Sequence, residues 1–165
     1  MILGARELYT WLKLRLCPNP TGHSKIYGDD TVKERLKKEI RNLIENYGVT
    51  VFYNGGKGQF DWLCAECVKE LKRDYPFIKS YLILAYMPGK KNQFDAEFYE
   101  KFDDTLYPEI EKTPPKFAII KRNEWMIDRS DFLIAYVGHS WGGAYRTLEY
   151  AKRKKKNVKM LCGLN

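Results

Sequence analysis

The segment "VFYNGGKGQFDWLCAEC", Val51 to Cys67, joins three local patterns. Val51, Phe52 and Tyr53 end the run "VTVFY", whose β-branched and aromatic residues suit a buried strand. Gly55, Gly56 and Gly58 follow as a loop. The stretch "QFDWLCAECVKELKRDY" then places Leu63, Cys64, Cys67, Val68 and Leu71 on one helical face. Strand, glycine loop and helix in that order form the first half of a strand–helix–strand unit.

The same alternation continues in both directions. Upstream, "DDTVKERLKKEIRNLIENYG" carries a stripe of Val32, Leu36, Ile40, Leu43, Ile44 and Tyr47, with Asp30 or Thr31 to cap it and Gly48 to stop it. Before that helix, "LKLRL" (12–16) reads as a half-buried strand and "CPNPTGHSKIYG" as a loop, while residues 1–10 are read as either an extra helix or an N-terminal extension. Downstream, "SYLILAYM" is a buried strand broken by Pro88 and Gly89. The acidic segment 93–107, with Phe94, Phe98, Phe102 and Leu106 four apart, reads as a helix that closes before Pro114 and Pro115. Then come "KFAII" as a short strand, "NEWMIDR" as a short helix and "DFLIAYV" as a buried strand. The loop "GHSWGG", the helix "AYRTLEYAKRKK" and the strand "NVKMLC" complete the chain. Alternating elements with near-continuous apolar strands indicate an α/β fold, a Rossmann-like three-layer sandwich with a mostly parallel sheet, over residues 1–165 as one domain. Right-handed crossovers bring every strand-to-helix loop to the C-terminal edge, where open sheets of this kind bind ligands.

Composition narrows the partners. The chain has 165 residues, 44% hydrophobic and 30% charged, with a formal net charge of +8. Apolar runs such as "FLIAYV" are too short to cross a bilayer, and the N-terminus lacks a signal-peptide pattern, so no membrane partner and a cytoplasmic location are expected. The basic balance favours phosphate-bearing partners. The run "AKRKKKNVK" fits the solvated C-terminal end of a helix, with a nucleic-acid contact as the other reading.

The four edge loops hold the candidate chemistry. They are "TGH" (21–23), "NGGKG" (54–58), "KRN" (121–123) and "GHSWGG" (138–143). Paired glycines let backbone N–H groups approach a ligand, and each pair precedes a helix N-terminus with its partial positive charge. Two such loops on one edge point to a phosphate-bearing ligand, with Asp61 placed to accept from a ribose or base. Neither loop has the spacing of a dinucleotide fingerprint or a P-loop. Arg122 suits either a bidentate phosphate contact or an ion pair to Glu124, Asp128 or Asp131. His23 and His139 lie in edge loops and could donate to phosphate or exchange a proton. With two histidines and no further ligand pattern, neither a metal site nor a cofactor is expected. Cys64 and Cys67 fall on the apolar face of their helix, which marks them as packing residues.

"TGH", "NGGKGQFD", "KRNEWMIDRSDFLIAYV" and "GHSWGGAYRTLEYAKRKKKNV" occur in the order that resembles the SLOG superfamily, named for the SMF/DNA-processing protein A and LOG-like proteins. The resemblance covers residues 12–162 and is nearest to small bacterial and phage-associated stand-alone members. It implies a modified Rossmann sheet that binds a nucleotide or a nucleotide-derived ligand, in a signalling or defence setting. The implied ligand residues are Gly22, His23, Asn54, Gly55, Gly56, Gly58, Asp61, Arg122, Asn123, Gly138, Gly142 and Gly143. One branch of the superfamily hydrolyses nucleoside monophosphates, and its motif Pro-Gly-Gly-x-Gly-Thr-x-x-Glu aligns with Trp141 to Glu149. The paired glycines and Glu149 keep their spacing, whereas Tyr145 and Arg146 replace the third glycine and the threonine. Phosphoribohydrolase-like N-glycosidic cleavage, with Glu149 as its catalytic acid, is therefore one alternative. Single-stranded DNA binding, after the DNA-processing branch, is another. A homo-oligomer remains an open expectation.

Overall fold

The computed structural model describes the backbone of residues 8–15 and, in full, residues 30–87, 94, 96–138 and 140–161. Six strands form one sheet: β1 (Leu8–Arg15), β2 (Val49–Asn54), β3 (Lys79–Ile83), β4 (Asp104–Leu106), β5 (Phe132–Val137) and β6 (Asn157–Met160). The helices are α1 (Asp30–Tyr47), α2 (Gln59–Leu71), α3 (Ala96–Tyr99), α4 (Ala118–Asp128) and α5 (Gly142–Arg153). The strand order is β4-β3-β2-β1-β5-β6, and every pairing is parallel. The order reverses at β1, so the switch point lies between β1 and β5.

Alternation along the strands builds the layers. Phe52, Phe132 and Ile134 face one side of the sheet, into a core made with Leu36, Ile40 and Leu43 of α1 and Phe60, Cys64 and Val68 of α2. Their neighbours Val51, Tyr53, Leu133, Ala135 and Val137 face the other side, against Met126 and Ile127 of α4 and Ala144, Leu148 and Ala151 of α5. Side chains alternate across a pleated strand, so the two cores share strands without sharing side chains. The first layer is held further by Lys33, whose ammonium lies 2.6 Å from Glu66 and 2.9 Å from Glu70 across the α1–α2 seam. Cys64 and Cys67 are wholly buried in that layer. Burial pushes the Cys67 thiol up to about 12 and the Cys64 thiol well above its usual value, so both stay protonated as packing groups.

Several boundaries differ from the sequence reading. The first strand begins at Leu8, so the expected extension supplies three of its residues. The expected strand at 80–87 keeps its ladder only to Ile83, after which one hydrogen bond, Leu84 N–H to Leu106 C=O at 2.8 Å, continues the pairing. The expected helix over 93–107 is the single turn α3 followed by the edge strand β4. The largest correction is "KFAII", expected as a strand. Pro115 opens a 3-10 turn at Pro115–Phe117, and α4 continues from Ala118. A proline at the first helical position has the φ a helix needs, and a five-residue apolar run carries no period that separates strand from helix.

Asp103 anchors the β4 edge. Its carboxylate pairs with Lys72 beyond α2 and accepts the Ser80 N–H at 2.7 Å. Partial burial pushes its pKa up, but the Lys72 ammonium and the Ser80 N–H outweigh that and hold it below the usual value. A lowered folded-state pKa contributes stability above the unfolded value, near about 4, and that stability disappears as pH falls through the folded pKa. In urea titrations, Asp103→Asn should lower the midpoint at neutral pH. It should also lose less of that midpoint than wild type on acidification from about pH 5 to about pH 3, the range where a carboxylate takes up its proton.

Candidate functional site

The strand register sets the layout of the C-terminal edge. Leu12 of β1 pairs with Asn54 of β2 on one side and with Ile134 of β5 on the other. At about 4.8 Å per strand step, β2 and β5 end roughly 10 Å apart with β1 between them. Residues 55–58 after β2 and Gly138 after β5 therefore flank the switch strand, and α2 and α5 begin at Gln59 and Gly142. Gly22, His23 and His139 lie outside the described residues.

The glycine loop is held by its own side chains. The Asn54 Oδ1 accepts the Gly56 N–H at 2.7 Å, and its Nδ2 donates to the Asp61 carbonyl at 2.8 Å. Asp61 Oδ2 accepts the Lys57 N–H at 2.6 Å. The Gly56 amide, expected to meet a ligand, is thus bound within the loop, as is the Lys57 amide. Asn54 and Asp61 are 3% and 2% exposed, so they shape the loop from beneath.

Among the described residues, Arg122 makes none of the ion pairs expected from the sequence. It lies within α4, 1% exposed, with no aspartate or glutamate hydrogen-bonded to it among the described residues. One guanidinium nitrogen, Nη1, donates to the carbonyls of Gly55 and Ile83, each at 2.6 Å. These carbonyls stand at the ends of β2 and β3. Burial lowers the Arg122 pKa to about 10, opposed by the negative charge of Asp61, so the group remains a cation at neutral pH. Its Nε donates to Asn123 Oδ1 at 3.1 Å, Asn123 Nδ2 reaches Thr147 Oγ1 at 3.4 Å, and that hydroxyl donates to the Gly143 carbonyl at 2.9 Å. Buried polar groups thereby run from the first glycine loop to the first turn of α5. Thr147 lies inside a helix, where the sequence carries no signal of a threonine's hydrogen-bond partner.

The glycines divide into two kinds. A Cβ on Gly55 would lie 2.9 Å from the Arg122 guanidinium, and one on Gly56 would lie 2.8 Å from Phe94 and 2.9 Å from Leu82. Gly56 also has a φ of +66°. Both positions are glycine because the protein's own side chains fill the space. Gly58 and Gly143 have no atom within 4 Å of a built Cβ. Gly58 is the N-cap of α2 and Trp141 that of α5, and neither gives a side-chain cap. Gly142 and Gly143 form the first turn of α5 rather than a preceding loop, and Gly138 is buried at the end of β5. Lys57 is exposed at the loop tip, a cation that the sequence reading passed over in favour of Arg122.

Glu149 lies two turns into α5, with its carboxylate 2.9 Å from Lys152. It lines a groove of about 360 Å³ between α4 and α5 together with Gly143, Asn123 and Thr147. Tyr145 packs against the second core rather than over the glycine pair. Among the described residues, no group of three or more His, Cys, Asp or Glu could hold a metal ion.

Arg122→Met should leave the Gly55 and Ile83 carbonyls buried without that donor and cost roughly 2–4 kcal/mol, read from the denaturation midpoint. Arg122→Lys should recover only part of this, because an ammonium lacks the planar fork. Gly55→Ala should destabilise by a similar amount by displacing the guanidinium.

Comparison with known proteins agrees with this architecture. A Bacillus subtilis (strain 168) protein, the uncharacterized SPbeta prophage-derived protein YoqJ, is 26% identical over 140 residues, covering 74% of this chain and 81% of its own. A UPF0398 protein of Bacillus thuringiensis (strain Al Hakam) is 22% identical over 139 residues, covering 79% and 74%. Among solved structures, DNA processing protein A from Helicobacter pylori, described for its single-stranded DNA binding mode, superposes with a TM-score of 0.65 at 17% identity over 95% of this chain. DNA processing protein A from Streptococcus pneumoniae gives 0.63 at 13% identity over 94%. The chain spans 66% and 50% of those two structures, so the likeness concerns the shared fold. The YspA SLOG family model matches residues 24–162, and the chain belongs to that SLOG family.

Proposed function

We propose that this protein binds a nucleotide or nucleotide-derived small molecule at the C-terminal edge of its sheet, beside β1. The observation that carries this reading is the pair of helix starts without side-chain caps. α2 and α5 open on either side of the switch strand, with space over Gly58 and Gly143. Helix N-termini present N–H groups and a partial positive charge to an anion. In this reading Lys57, whose ammonium lies 5.8 Å from the Phe94 ring centroid, supplies the exposed cation, while Asn54, Asp61 and Arg122 fix the loop that carries it. Arg122 and Asp61 then act by positioning rather than by touching ligand.

Isothermal titration against nucleoside mono-, di- and triphosphates and ADP-ribose tests this. At least one should bind, and Lys57→Ala should weaken it about tenfold, or about 1.4 kcal/mol. Gly143→Glu should keep or raise thermal stability, since a carboxylate suits a helix start, yet abolish binding by excluding the phosphate. Silence across the whole panel would overturn the reading.

A second reading is single-stranded DNA binding, favoured by the net charge of +8 and by what is described for the Helicobacter pylori structure. It requires oligonucleotide affinity that falls steeply with salt, together with no mononucleotide binding. N-glycosidic hydrolysis rests on Glu149, whose carboxylate is paired with Lys152. Base release from AMP that disappears in Glu149→Gln would be needed to support it.

A further inference from the structure

The two margins of the sheet carry opposite charge. The strand order puts β4 at one margin and β6 at the other, five strand steps or roughly 24 Å apart. Residues 96–112, which lead into β4 and out of it, hold six carboxylates against two lysines. Residues 146–160, which form most of α5 and all of β6, hold seven cations against one glutamate. Both strands run parallel to the rest of the sheet, so the turns that enter them lie at the same N-terminal level. At that level Glu100 and Asp104 are exposed where the chain enters β4, and Arg153 and Lys155 are exposed where it enters β6.

The fold does not neutralise either margin. Asp103 is paired with Lys72, and Lys152, Lys154 and Lys159 are paired with Glu149, Asp128 and Glu39. Among the described residues, Glu100 and Asp104 form no ion pair, and Arg153 and Lys155 meet no carboxylate. Arg153 lies over the Tyr150 ring, 5.5 Å from its centroid.

We infer that the acidic margin at β4 docks on the basic margin at β6 of a second copy of this chain, head to tail. A nucleic-acid partner accounts for the basic margin alone, whereas a second copy accounts for both. The net charge of +8 does not prevent this contact. At physiological salt, exposed charges more than about 8 Å apart are largely screened, so margins this far apart act separately. The contact is one of side chains rather than strand addition. Asp104 already accepts the Thr105 N–H at 2.7 Å, and Lys159 stands on β6, features that blunt a sheet edge. Exposed ion pairs are individually weak and lose strength with salt, so the association is transient and salt-sensitive. The two docking surfaces differ, so each pairing leaves one of each kind free and the assembly continues past a dimer. It uses the margins of the sheet and is independent of any ligand beside β1.

Sedimentation of the full chain tests this at about 0.15 M and about 1 M salt, where the screening length falls from about 8 to about 3 Å. The weight-average mass should rise with protein concentration to at least about twice 19.5 kDa in the lower salt and stay at the monomer value in the higher. Glu100→Lys/Asp104→Lys and Arg153→Glu/Lys155→Glu should each be monomeric alone, with melting temperatures near wild type. Mixed in equal amounts they should associate again, because one then offers two basic margins and the other two acidic ones. Glu100→Gln and Lys155→Gln remove a charge without reversing it, and each should weaken association several-fold even where a reversal perturbs folding. A wild type that stays monomeric in the lower salt would overturn the proposal. So would charge-reversed variants that associate as wild type does, or a mixture that fails to reassemble. A monomeric wild type whose oligonucleotide affinity is lost in Arg153→Glu/Lys155→Glu would overturn it too, and would assign the basic margin to nucleic acid.

Discussion

The guanidinium of Arg122 is the contact on which the architecture of this edge depends. A parallel sheet leaves carbonyl groups at the C-terminal ends of its strands, and buried carbonyls need donors. Arg122 meets two of them, on Gly55 and Ile83, from a helix that lies far away in sequence. The close approach explains why residue 55 is glycine, and Asp61 provides the negative charge that helps keep the buried cation ionised. Replacing an ion-pair partner by two carbonyls lets one side chain tie β2, β3 and α4 together.

That arrangement separates the residues that build the loop from those that can face a ligand. Asn54, Asp61, Arg122, Asn123 and Thr147 are all between 1% and 6% exposed and are joined by hydrogen bonds. The exposed groups at the two helix starts are Lys57, Gly58, Gln59, Ser140, Trp141 and Gly143. A functional motif in a sequence thus contains both a frame and a contact surface. Residue type alone does not tell one from the other, because an arginine that binds a carbonyl and one that binds a phosphate look identical in sequence.

Much of the fold was legible because its signals are local. The α1 stripe buries from Val32 to Ile44 as its spacing requires, whereas Tyr47, expected in the same stripe, is exposed at the helix end, and the apolar runs 49–53 and 132–137 are interior strands. The segments that misled are short or lie at the sheet margin. "KFAII" has no decisive period, and it became helical because Pro115 starts a turn and the chain must cross back from the β4 edge to β5. The four-residue spacing of Phe94, Phe98 and Phe102 reflects an aromatic cluster around a single helical turn, with Phe98 rings 5.0 and 5.2 Å from its neighbours, rather than a long helix.

The sequence by itself determined the layer order, the parallel sheet and the presence of two glycine-rich helix starts, because periodicity and glycine punctuation act over a few residues. Only the tertiary structure decided what those glycines are for. Gly55 and Gly56 yield their space to Arg122, Phe94 and Leu82, whereas Gly58 and Gly143 remain open, and this depends on contacts between segments distant in the chain. The glycine loop Asn54–Gly58 is therefore one half frame and one half surface, a division that packing sets and that no local pattern encodes.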